Sequence, residues 1–70
     1  MPKQYSSSDV ISTLKANGFE FVTQKGSHMK FRKGKFVVIV PAGRKVIPLG
    51  TLRSIRRQAG LGKEVFGREG

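Results

Sequence analysis

Apolar positions along the chain change period twice, and the changes mark out the elements. Between Ser7 and Asn17 they fall at helical spacing, with Val10, Ile11 and Leu14 on one side. Ser6-Ser7-Ser8-Asp9 supplies a capping box, Ser6 as N-cap and Asp9 three residues on. Tyr5 and Val10 are placed to form the hydrophobic staple around it. Asn17-Gly18 ends the helix, and Phe19 falls where a Schellman cap packs it against Leu14. From Phe19 the period becomes two: Phe19, Phe21 and Thr23 alternate with Glu20, Val22 and Gln24, which predicts a half-buried strand.

Lys25-Gly26-Ser27 turns the chain into a second strand from about His28 to Arg32. There Met29 and Phe31 face the same core as Phe19 and Phe21, while His28, Lys30 and Arg32 share the opposite face. Lys33-Gly34 is a second hairpin signal, and Phe36-Val37-Val38-Ile39-Val40 a third strand that Pro41 terminates. That strand is apolar on both sides: either simple end effects account for this, or its outer side is a partner-binding edge. After a basic loop, Pro41 to Lys45, Val46-Ile47 reads as a short extended piece. Pro48 then opens a second helix whose core side carries Leu49, Leu52, Ile55 and Ala59, with Arg53, Arg56 and Arg57 on others. Gly60 ends it, Leu61 folds back on Ile55, and Val65-Phe66 adds an anchored turn before a frayed end; Met1 to Gln4 is a loose lead-in.

The predicted order is α-β-β-β-α. Short connections make the strands a three-stranded antiparallel meander with both helices on one face, an α+β fold of two layers. Seventy residues suit one domain, 1–70, with its core at about 6–61 and a tail at 62–70.

Charge adds a partner class. There are 14 Lys and Arg against 4 Asp and Glu. The stretch from Lys25 to Lys63 contains no acid, the four acids being Asp9, Glu20, Glu64 and Glu69. A one-signed surface of this kind points to a polyanion: nucleic acid first, an anionic membrane surface or an acidic protein second. The absence of cysteine removes disulfides and thiolate metal sites and fits a reducing cytoplasm. No secretory signal is visible, and the run Phe36–Val40 is too short to span a bilayer, so no membrane partner is expected. One histidine and scattered carboxylates leave little from which to build a metal site; any hydrolysis is expected to be metal-independent and cofactor-free.

His28 is the sole ordinary general base in the basic stretch. It follows Gly26-Ser27, whose small side chains let a phosphate approach the backbone, and it stands beside Lys25, Lys30 and Arg32. Cleavage of RNA by its own 2′-hydroxyl needs a base for that proton, donors for the charge developing on phosphorus, and an acid for the leaving oxygen. His28 fits the first role. Lys25, Gly26, Ser27, Lys30, Arg32, Arg53, Arg56 and Arg57 are candidates for RNA binding; of these Lys30, Arg32 and the three helix arginines are candidates for the second role, and the acid has no obvious owner. The same residues would also serve a non-catalytic RNA-binding module or an architectural basic protein, with His28 a bystander.

Ser7 to Leu61 resembles the HicA family of small RNA-cleaving toxins from toxin–antitoxin pairs. The likeness lies in the helix end Ala16-Asn17-Gly18-Phe19, in Gln24-Lys25-Gly26-Ser27-His28, in Val40-Pro41, and in Leu49-Gly50-Thr51-Leu52-Arg53-Ser54-Ile55 leading to Arg57-Gln58-Ala59-Gly60-Leu61. The resemblance implies a fold like the double-stranded-RNA-binding domain, ribosome-independent cleavage of mRNA, inhibition by a HicB-type antitoxin, and a functional histidine at His28. After Pro41, where many members place another histidine, this chain has Ala42-Gly43-Arg44.

Overall fold

The computed structural model describes residues 4–66, so residues 1–3 of the predicted lead-in and 67–70 of the predicted frayed end lie outside the described residues. The elements are α1 (Ser7–Ala16), β1 (Glu20–Lys25), β2 (His28–Lys33), β3 (Phe36–Pro41), α2 (Leu49–Gln58) and a 3-10 turn (Lys63–Phe66). The strands form one antiparallel sheet in the order β1-β2-β3. The expected α+β arrangement is therefore observed.

Both helix ends follow from local chemistry. At the start of α1 the Asp9 amide donates to Ser6 Oγ at 3.1 Å and the Ser6 amide to Asp9 Oδ2 at 3.0 Å, the reciprocal capping box. At its end the Phe19 amide donates to Leu14 O and the Gly18 amide to Lys15 O, both at 3.0 Å, a Schellman motif that carries Phe19 into the core beside Leu14. Helix α2 ends in the same way, Leu61 donating to Arg56 O and Gly60 to Arg57 O at 3.1 Å. Gly60 is required twice over: its φ is +67°, and a Cβ there would stand 2.7 Å from the Phe36 ring.

One core lies between the helices and the inner side of the sheet. It joins Val10, Leu14 and Phe19 to Phe31, Val38 and Val40, and these to Ile47, Leu52, Ile55, Ala59 and Phe66. Each such side chain, fully buried, contributes roughly 1.5–3 kcal/mol. Met29 and Leu61 pack against the cluster, as does Tyr5, whose ring meets Phe66 edge-on at 5.3 Å.

The structure corrects four expectations. Thr23 and Gln24 exchange faces: the register slips between Phe21 and Thr23, so that Thr23 lies opposite Lys30 on the outer face and Gln24 opposite Met29 on the inner one. Phe21 does lie opposite Phe31, 5.7 Å ring to ring, but remains 51% exposed, because β1 is the edge strand far from β3, against which both helices pack. Leu49, at the first helical position of α2, is exposed rather than buried, since the core side of that helix is set by Leu52, Ile55 and Ala59. In addition, Val46-Ile47 is not a strand; Ile47 is held in the core with its amide donating to Tyr5 O at 2.6 Å.

Candidate active site

Among the described residues, no element covers the outer face of the sheet. Its cross-strand rows are Lys25–His28–Pro41, Thr23–Lys30–Ile39 and Glu20–Arg32–Val37. Period two along β2 thus delivers His28, Lys30 and Arg32 to one exposed surface, while Phe31 is buried behind them. Lys25 joins that surface across the hairpin. Gly26 and Ser27 form the two-residue turn between them, with Gly26 at φ +57° and the Gln24 side-chain amide donating to Gly26 O at 2.9 Å. Val37 and Ile39, about two-fifths exposed, give the cationic face an apolar margin.

At the His28 end the surface becomes concave. An open groove of about 500 Å³ runs between β3 and α2, walled by His28, Ile39 and Pro41 on the sheet side and by Thr51, Ser54 and Gln58 on the helix side, with Arg44 from the intervening loop. Gln58 also closes the edge of the sheet, its Oε1 accepting the Ile39 amide at 3.1 Å. His28 is therefore not simply one of a row of exposed polar groups. It stands where the cationic face meets a groove with hydroxyl, amide and guanidinium functions.

Buried Ser7 holds the loop that completes the groove. Its Oγ donates to Pro41 O at 2.6 Å and accepts the Arg44 amide at 2.9 Å, while its own amide donates to Arg44 O at 2.9 Å. The loop is tied to the other side too, the Ala42 amide donating to Ser27 O at 2.7 Å, next to His28. Neither Ser7 nor Arg44 was singled out for the site from sequence. The visible signal was Gly43-Arg44 just after a strand-ending proline; Ser7 lies 37 residues from its loop partner and left none.

The arginines of α2 do not join His28. Arg53 and Arg57 are exposed and neither lines the groove, whose helical wall is Gly50, Thr51, Ser54, Ile55 and Gln58. Arg56 is partly buried and donates from Nη1 to Leu61 O at 3.4 Å, at the C-terminal end of the helix. Lys25, Lys30 and Arg32 thus share the sheet face of His28, at increasing distance along β2 for Lys30 and Arg32, and Gly26-Ser27 is the turn beside it, while Arg53, Arg56 and Arg57 lie on α2 outside the groove. Among the described residues no three His, Cys, Asp or Glu side chains gather as a metal site, and no helix is long and apolar enough to cross a membrane.

No curated protein matches the chain. A family profile does: that of the HicA toxin of bacterial toxin–antitoxin systems, over residues 7–61, which takes in α1, all three strands, α2 and every residue of the groove. The chain therefore belongs to the HicA toxin family and is the toxin of a toxin–antitoxin pair, with an antitoxin as its partner.

Proposed function

We propose that this toxin is a metal-independent endoribonuclease that cleaves mRNA in the cytoplasm, working as a single domain with His28 as general base. The observation that carries the reading is the position of His28, exposed in a groove at the end of a cationic sheet face. RNA lies along that face with its phosphates against Lys25, Lys30 and Arg32, and the Gly26-Ser27 turn admits one phosphate close to the backbone. Arg53, Arg56 and Arg57 extend the cationic field from the far side of α2.

In the reaction a ring nitrogen of His28 takes the proton of a ribose 2′-hydroxyl. The freed oxygen attacks the adjacent phosphorus, the P–O5′ bond breaks, and the departing oxygen takes up a proton from the imidazolium or from water. The products are a 2′,3′-cyclic phosphate and a 5′-hydroxyl. A HicB-type antitoxin silences the enzyme by covering this face, matching its cations with acidic groups and its Val37–Ile39 margin with apolar ones.

The test is cleavage of a mixed-sequence oligoribonucleotide in EDTA by the wild type and by His28→Ala. Turnover by the wild type and none by the variant is expected. A His28→Ala protein that cleaves at the wild-type rate would leave an RNA-binding module without catalysis.

A further inference from the structure

The mechanism above leaves the charge that builds on phosphorus without a dedicated partner at the bottom of the site. Lys30 and Arg32 lie progressively further along β2 from His28 and do not line the groove, and Lys25 flanks His28 on the side away from it. Among the described residues, the groove wall carries one ionisable side chain besides His28, that of Arg44.

Resting on the ribonuclease reading of His28, we infer that Arg44 is the second catalytic residue: its guanidinium binds the scissile phosphate and stabilises the negative charge of the pentacovalent transition state. Three observations converge on it. First, the root of the side chain is fixed by main-chain bonds, since the Arg44 amide and carbonyl are both engaged by Ser7 and the loop is anchored to Ser27, the neighbour of His28. His28 and Arg44 are thereby held to the same frame, and a group already in place costs no reorganisation during the reaction. Second, the side chain is exposed and lines the groove, and among the described residues no hydrogen bond or ion pair to its guanidinium is present. Third, a planar fork of N–H donors matches two phosphate oxygens at once, which an ammonium does not. Thr51 and Ser54, on the opposite wall, are neutral donors that complete the surroundings of the phosphate.

The bond changes stay those of the proposed reaction. O2′–P forms, P–O5′ breaks, and Arg44 remains protonated throughout, supplying hydrogen bonds and charge but no proton. Arg44 thus acts on the step that the histidine leaves uncovered, and the leaving oxygen is still protonated by the imidazolium or water.

The experiment compares full-length wild type, His28→Ala, Arg44→Ala, Arg44→Lys and Lys30→Ala on a fluorophore-quencher oligoribonucleotide in EDTA, with kcat and KM resolved and a thermal melt of each. Arg44→Ala should lose about 100-fold or more in kcat with KM little changed. Arg44→Lys should recover only part of the loss, and added guanidinium at non-denaturing concentration should restore activity to Arg44→Ala but not to His28→Ala. The main-chain bonds of residue 44 survive both substitutions, so the melts should match the wild type. Lys30→Ala should instead raise KM.

Overturning results are equally distinct. A rise in KM alone for Arg44→Ala makes Arg44 an ordinary binding cation. An unchanged rate removes it from the site, and a loss that guanidinium does not restore assigns it a structural role. If His28→Ala cleaves normally, the ribonuclease reading falls and this inference with it; if His28→Ala is inactive and Arg44→Ala is not, only the inference falls.

Discussion

The two faces of β2 are built from alternating residues of the same six-residue segment and answer to different demands. On the inner face Phe31 is 1% exposed and is surrounded by side chains from both helices and the neighbouring strands. On the outer face His28, Lys30 and Arg32 are exposed and pack on nothing in the core. Inside, volume and shape decide what is tolerated; outside, charge and hydrogen-bonding chemistry do. From His28 to Arg32 a substitution can therefore be assigned to the core or to the open face by its parity along the strand; Lys33, of inner parity, is exposed.

The sharpest way to break that contrast is Phe31→Ala. It should cost about 3–5 kcal/mol, the sum of lost burial and the cavity left behind, and activity should vanish only because the domain unfolds; chemical denaturation measures the loss. Ser7→Ala tests a residue that is inside by burial but outside by purpose. Removing its hydroxyl leaves the Pro41 carbonyl and the Arg44 amide without their partner, an expected cost of about 1–3 kcal/mol, read from the same denaturation curves. His28→Ala is the complement of Phe31→Ala. Its melting curve should lie within about 0.5 kcal/mol of the wild type, and antitoxin binding should persist, while cleavage is lost. The smallest effect on stability belongs to Lys30→Gln with Arg32→Gln. That pair should leave the melt unchanged and flatten the dependence of log affinity for single-stranded RNA on log salt by about 0.7 per lost phosphate contact. An unchanged slope would remove the outer face from the binding site.

Local signals carried most of the architecture. The capping box at Ser6 and Asp9, the Schellman end at Asn17-Gly18-Phe19 and the two hairpin turns each depend on residues within a few positions of one another, and each is present as read. Alternation along β2 likewise placed His28 opposite the core without reference to any other element. What was not legible depends on how elements meet. Phe21 alternates correctly, yet stays half exposed because the helices cover β3 and not β1. Leu49 falls near the apolar side of its helix, yet the packing of Leu52, Ile55 and Ala59 turns it outward. The groove beside His28 exists only once α2 lies against β3, so its Thr51, Ser54, Gln58 and Arg44 had no shared signal in the linear chain. Conversely, the arginines of α2, grouped with His28 by charge alone, are directed elsewhere by the same packing.

The slip at Val22 has a consequence for how the protein behaves in a crowded solution. Strand β3 is closed to further pairing at Ile39 by the Gln58 side chain, which leaves β1 as the edge along which another chain could add a strand. An unbroken β1 would display its free amides and carbonyls in a regular row between Phe21 and Lys25, beside two exposed apolar side chains, Phe21 and Val22. The extra residue interrupts that row and increases the local twist, so the edge no longer matches a straight incoming strand. One edge thus has its Ile39 amide occupied by a side chain, and the other is interrupted by an extra residue. The exposed apolar side chains Phe21 and Val22 thus stand on an edge that is a poorer template for an added strand than a regular one.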